Sequence, residues 1–257
     1  MIRYKVIISY DGTFFHGFQR QTEYNSVQQT LEEALSHIFK TSIIIHGAGR
    51  TDAGVHAVGQ VFHFDAENVI PCDNLKKVLN KTIYPHIYVK DVTYVSKDFH
   101  AQKSAIAKEY RYLVSINEFD PLKANYYLFF HDRIVIDNIR QAMKYIVGKQ
   151  DFRSFSKGDK KNTVRTIEYF TLNVKEGILE FRIKGDGFMY NMVRIIISLM
   201  LKVGEGKFPP EHIKEVLEGK KRSLAPFVAQ PQGLYLYKVF YDEKFNGTKD
   251  ITTIINN

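Results

Sequence analysis

The stretch His46-Gly47-Ala48-Gly49-Arg50-Thr51-Asp52-Ala53-Gly54-Val55-His56-Ala57 lies between two apolar runs. Thr41-Ser42-Ile43-Ile44-Ile45 leads into it, and Gly59-Gln60-Val61-Phe62-His63-Phe64 leads out. Runs rich in β-branched and aromatic residues read as strands, so the stretch is a loop joining two strands. Its glycines, at 47, 49 and 54, permit backbone angles that other residues avoid and allow close approach by a ligand or another segment. Neither run needs Arg50 or Asp52 for packing. A solitary loop Asp is ordinarily a turn former. This one follows Arg50 by two positions, among small residues, which suits a carboxylate oriented beside a guanidinium. Such a group can serve as a nucleophile, a base or an anion-facing anchor.

Outward from this loop the chain reads as two similar series. Ile2 to Tyr10 is a strand ended by Asp11-Gly12, and a polar loop follows with His16, Gln19, Arg20 and Gln21. Ser26-Val27-Gln28-Gln29 is a capping box opening an amphipathic helix over 27–39, with Val27, Leu31, Leu35 and Ile38 on its apolar stripe. After the two strands around Asp52, Asp73 can cap a second helix, and Ile87 to Val95 is a further strand. The series repeats. A strand from Glu109 to Ile116 precedes a helix capped by Asp137. A hairpin turns at Glu176-Gly177, and a strongly apolar helix runs from Tyr190 to Val203. A short helix over 211–218 precedes a closing strand from Gly233 to Tyr241.

The expected fold is therefore α+β. It comprises two related ferredoxin-like or RRM-like β-α-β-β-α-β halves, with a mixed, largely antiparallel sheet and helices packed on one side. The halves are expected at 1–103 and 104–247, with a polar, frayed tail at 248–257.

The 257 residues carry 36 Lys and Arg against 28 Asp and Glu, a net charge of +8, which favours a polyanionic partner, nucleic acid first. One cysteine, Cys72, excludes an internal disulfide and a cysteine-cage zinc site. The N-terminus reads as a strand and not as a signal peptide, and no stretch has the run of about 18 apolar residues of a membrane span. A cytoplasmic protein without membrane contact is expected.

Two further stretches bear charge or rings in places that invite chemistry. In Lys108-Glu109-Tyr110-Arg111-Tyr112, strand alternation places Tyr110 and Tyr112 on one face, as core rings or as a base-stacking surface. Arg194 sits inside the apolar helix, either snorkelling from its edge or aimed at a carboxylate or phosphate. A metal site from His46, Asp52, His56 and His63 matches no zinc spacing, and the glycines around Arg50 form neither a P-loop nor a dinucleotide fingerprint.

Taken together, these residues resemble the tRNA pseudouridine synthase A family. Gly49-Arg50-Thr51-Asp52-Ala53-Gly54-Val55-His56-Ala57 is similar to its signature. Tyr10-Asp11-Gly12-Thr13, Gly17-Phe18-Gln19-Arg20-Gln21, Phe99-His100-Ala101, Lys108-Glu109-Tyr110-Arg111-Tyr112, Asp151-Phe152-Arg153-Ser154-Phe155, Arg165-Thr166-Ile167 and Gly187-Phe188-Met189-Tyr190-Asn191-Met192-Val193-Arg194 follow in family order. Phe18 stands where the family often has Trp, and Arg153 where it often has a smaller residue.

The resemblance implies a cofactor-free isomerase of tRNA, and the spacing read above implies no metal. It implies uridines 38 to 40 of the anticodon stem-loop as targets, a homodimer, and a basic active-site cleft between the halves. By motif it implies Asp52 as the catalytic acid, Arg50 as its orienting neighbour, Tyr110 as the ring on the target base and Arg194 as a second arginine. Gln19, Arg20, His56, Arg153 and Lys157, with Tyr110, are the expected RNA-binding residues.

Pseudouridine formation breaks an N-glycosidic bond, turns the base and rejoins it through carbon, which needs no oxidant. Asp52 can attack the sugar or remove a sugar proton, and the uridine must leave its stack for a pocket ring. The competing readings are an RNA-binding protein with two RRM-like halves, which has no use for Asp52, and a metal-dependent hydrolase.

Overall fold

A computed structural model describes residues 1–158 and 162–255 of the chain. These residues form two compact units: Met1–Ile106 together with Leu236 onward, and Ala107–Tyr235. Each is a mostly antiparallel α+β unit. Lys160 and Lys161, part of a basic cluster with Lys157, lie outside the described residues.

The first unit contains β1 (Ile2–Tyr10), α1 (Val27–Phe39), β2 (His46–Gly47), β3 (His56–Ala66), α2 (Cys72–Thr82) and β4 (Ile87–Val95). Strand β1 runs between β3 and β4, antiparallel to both. Its alternate residues Tyr4, Val6, Ile8 and Tyr10 are at most 5% exposed, as the period-two pattern requires. Tyr4 is registered against Phe64 and Tyr94, stacks on Phe64 at 4.9 Å, and meets Phe39 of α1 edge-on at 6.0 Å. Helix α1 therefore covers this face. Burying each large ring contributes about 1.5–3 kcal/mol. The predicted cap is present: Ser26 Oγ accepts the Gln29 N–H at 3.2 Å.

Three local expectations are corrected. Thr41–Ile45 is not a strand. The N–H groups of Ile43 and Ile45 donate to Ser36 Oγ and Glu32 Oε1 of α1, so side chains of the helix replace a ladder. The pairing with β3 begins after this run, at His46 and Gly47. Asp73 and Asp137 lie in the first turns of their helices without capping them; the cap positions are Pro71 and Val135.

The second unit contains β5 (Ala105–Ser115), β6 (Leu128–Phe129), α3 (Ile136–Met143), β7 (Gly148–Asp151), β8 (Val164–Lys175), β9 (Ile178–Gly185), α4 (Met192–Gly204) and α5 (His212–Gly219). Its sheet order is β5-β9-β8-β7, with β6 parallel to β5. The short strands β6 and β7 are additions to the expected order. Glu176 and Gly177, with φ of 51° and 72°, make the tight turn between β8 and β9. Helix α4 is apolar nearly all round because it is buried on most sides, with Ile195, Ile196, Ile197 and Met200 fully covered.

The closing strand β10 (Leu234–Tyr241) differs from the expected division of the chain. From Leu236 it belongs to the first unit, where it lies beside β3. Beyond it, Phe245 and Asn246 accept hydrogen bonds from the buried Lys5 ammonium, and Thr248 exchanges backbone hydrogen bonds with Tyr94. The start of the expected frayed tail is docked on the first unit.

Candidate active site

Within the first unit, the loop from Ala48 to Val55 is fixed from below and from the side. Ala48 N–H donates to Val61 O at 2.7 Å, and the fully buried Gln60 donates its amide to Gly49 O at 2.9 Å. The Val55 N–H closes a turn on Asp52 O at 3.2 Å, with Gly54 at φ 76°.

The polar segment after β1 packs along the same backbone. Phe18 N–H donates to Thr51 O at 3.1 Å, and the Tyr10 hydroxyl lies 2.7 Å from Thr51 Oγ1. Burial pushes the Tyr10 hydroxyl pKa well up, so it remains a donor across the ordinary pH range. This close approach depends on two glycines. A Cβ at Gly12 would lie 2.2 Å from Val55 O; one at Gly17, which has φ +94°, would lie 2.7 Å from Thr51 O. The result is a half-buried Asp52 on a backbone held by Thr51 on one side and Val55 on the other.

The other expected residues of this unit fall into different positions. Arg50 is exposed, two positions before the half-buried Asp52. His56 is 2% exposed, and its Nδ1 accepts the Gly12 N–H at 3.0 Å; it holds the neighbouring loop and presents no open face to RNA. Arg20 is half-exposed and pairs through Nε with the buried Glu32 at 3.1 Å. Gln19 is exposed.

In the second unit, Tyr110 on β5 is 8% exposed and meets Phe188 edge-on at 5.1 Å. Its companion Tyr112 is sealed, its hydroxyl donating to Gln230 O at 2.6 Å. Arg194 on α4 is anchored by Nε to Ala229 O at 2.7 Å and by Nη1 to Asn191 Oδ1 at 2.9 Å. Both bonds fix the direction of the guanidinium. Arg153 and Lys157 are exposed; Arg153 is the outward residue of a turn whose Phe152, Ser154 and Phe155 are fully buried.

Sequence reasoning missed Tyr10 and Gln60 as parts of the site. Both sit at positions whose alternation reads as core, and both are indeed buried. The signal available was polarity: a hydroxyl and an amide inside apolar runs must find partners.

A family model described as tRNA pseudouridine synthase matches residues 6–102 and 142–242. The chain belongs to this family. It is 44% identical over 244 residues to tRNA pseudouridine synthase A of Thermosipho melanesiensis, covering 94% of this chain and all of that one. The Bacillus subtilis protein of the same name is 42% identical over 246 residues, again 94% of this chain and all of the other. The matched family segments include the Asp52 loop in one unit and Arg194 in the other. Among the described residues of this synthase-family chain, no helix is long and apolar enough to cross a membrane, and no group of three or more His, Cys, Asp or Glu is placed to hold a metal ion.

Proposed function

We propose that the protein isomerises uridine to pseudouridine in tRNA, at positions 38 to 40 of the anticodon stem-loop, with Asp52 as the catalytic acid. The observation that carries this reading is a half-buried carboxylate on a loop tied at Thr51, just before it, and closed by the Val55 N–H on the Asp52 carbonyl. A carboxylate costs RNA affinity through repulsion, so a pure binding protein has no reason to build such a mount for one. A catalyst does, because placement of the reacting group within a fraction of an ångström controls rate.

In the reaction the C1′–N1 bond breaks, the uracil turns, the C1′–C5 bond forms, and the C5 proton leaves. Asp52 assists the first step either by attack at C1′ or by removing a sugar proton. Tyr110 supplies the ring on which the flipped base lies, and Arg194 a fixed cation for the RNA backbone. Arg50, Gln19, Arg20, Arg153 and Lys157 add contacts to the RNA. His56 acts through the loop it holds. The chemistry is redox-neutral and transfers no group to a carrier, so the reading includes no cofactor. It also includes a cytoplasmic homodimer, in keeping with the family resemblance.

The test is tritium release from tRNA labelled at uridine C5. Only formation of the C1′–C5 bond expels that hydrogen, so a binding protein releases none. Failure to release tritium from tRNA carrying uridine at positions 38 to 40 overturns the reading.

A further inference from the structure

The first unit has a cavity of about 240 Å³ beside the Asp52 loop, lined by Phe18, Gln19, His46, Arg50, His100 and Gln102 among others. Clefts that enclose a free drug-sized molecule measure about 300–1,000 Å³. This one is smaller and suits one portion of a longer chain. Its apolar part is built in: the Phe18 ring sits over Gly47, where a Cβ would come within 2.4 Å of it.

The polar part is rich in donors. His100 Nδ1 accepts the N–H groups of Gln102 and Lys103 at 3.2 and 3.3 Å, so in the neutral ring Nε2 carries the hydrogen. Burial and the Lys103 charge hold the His100 pKa below the usual histidine range. His46 is exposed and stacks on His63 at 5.0 Å, while the His100 ring lies 4.8 Å from His63. His63 is 2% exposed and its Nδ1 accepts the Ala101 N–H at 3.1 Å, so it supports the other two rings from within. Arg50, Gln19 and Gln102 are exposed. No Asp or Glu is among the lining residues. A cavity with a guanidinium, imidazole and amide donors and no carboxylate is complementary to an anion with polar neighbours.

We infer that this cavity seats the phosphodiester group of the nucleotide next to the target uridine, with Arg50, His46, His100 and Gln102 as its donors. The inference rests on the proposed tRNA reading and adds a nucleotide subsite to it. Arg50 then links the two: it stands two residues before the catalytic acid and holds the adjacent phosphate.

The test uses anticodon stem-loop RNAs labelled with tritium at C5 of the target uridine, each carrying one neutral methylphosphonate linkage at a stepped position around it. Wild type is compared with His46→Ala and Gln102→Ala, both at exposed positions, after thermal melting establishes that each variant folds. A hydrogen bond to a charged group is worth about 1.5–3 kcal/mol, so one linkage beside the target should lower wild-type kcat/KM about tenfold or more. The same linkage should lower kcat/KM of each variant by a factor at least about threefold smaller than in wild type, because one of the donors it deprives of charge is already missing.

Wild type that releases tritium but shows no linkage with this coupling overturns the inference and leaves the proposed function standing. Coupling found with an abasic neighbouring nucleotide, and with no methylphosphonate, overturns it as well, because the cavity then seats a base. Absence of tritium release from unmodified RNA overturns the proposed function and this inference with it.

Discussion

The Tyr10 hydroxyl lies 2.7 Å from Thr51 Oγ1, joining the end of β1 to the residue that precedes Asp52. Tyr10→Phe keeps the ring and removes the tie, leaving a buried hydroxyl on Thr51 without this partner. Stability should fall by about 1–3 kcal/mol, measured by denaturant titration. The rate should fall about 10- to 100-fold with little change in KM, because the acid is misplaced and RNA contacts are kept. Unchanged kcat would mean that this bond does not position the loop.

Gly17→Ala should be worse than its size suggests. The added Cβ meets Thr51 O at 2.7 Å and the backbone is at φ +94°. Gly206 provides the control, with φ +78° and nothing within 4 Å of its own added Cβ. Each substitution should cost stability through left-handed strain, about 1 kcal/mol or more. Gly17→Ala alone should also lower kcat in a tritium-release assay. Equal activity in the two variants would sever the first loop from the site.

Asp52→Asn is nearly isosteric and can neither attack the sugar nor take its proton. It should fold, bind tRNA as well as wild type or better, and release no tritium above background. The proposed role is falsified if the variant turns over within about tenfold of wild type, a barrier change of only about 1.4 kcal/mol.

Tyr110 separates into ring and hydroxyl. Tyr110→Phe should keep tRNA affinity and its edge contact with Phe188. Tyr110→Ala should lose about 1–3 kcal/mol of binding, read as a 5- to 150-fold weaker Kd, together with some stability from the cavity created. If the folded alanine variant binds like wild type, Tyr110 is only a core ring.

His63 makes stability depend on acid. Burial, with smaller effects from Arg3, His100 and His46, lowers its pKa from 6.5 to about 4. Between those two values the unfolded chain binds the proton and the folded chain does not, so stability falls as pH drops through this window. Below about 4 the contribution is fully lost, and it reaches up to about 3 kcal/mol above 6.5. Asp65 opposes the shift, and other groups add their own slopes, so the informative measurement is a difference. His63→Gln retains an acceptor for the Ala101 N–H and should flatten the acid limb of stability between pH 4 and 6.5. An identical limb in both proteins would remove His63 as its source.

Much of the architecture was legible because local rules acted alone. The alternation of Tyr4, Val6, Ile8 and Tyr10 and the Ser26–Gln29 box each predicted an element with the bounds observed. Thr41–Ile45 misled because periodicity detects burial and not the destination of backbone hydrogen bonds. Ile43 and Ile45 are buried as a strand would be, but Glu32 and Ser36 take their N–H groups.

The site divided in the same way. Asp52 stood out because neither flanking run needed it. Tyr10, Gln60 and the buried face of His56 did not, because a polar group that supports a loop occupies the same parity as a packing residue. The return of Leu236 onward to the first unit was invisible, since a strand's own residues do not name its neighbour.

That return sets an order on the ribosome. Residues 107–235 form a continuous stretch and can close on themselves as soon as they emerge. The first unit cannot, since the strand beside β3 and the acceptors of Lys5 are encoded after the whole of the second. At about 5–20 residues per second, the N-terminal strands wait roughly ten seconds for their last partner to be made. Throughout that interval the part of β3 that β2 leaves uncovered is an open edge, available to neighbouring nascent chains, so translation speed across 107–235 is a determinant of yield.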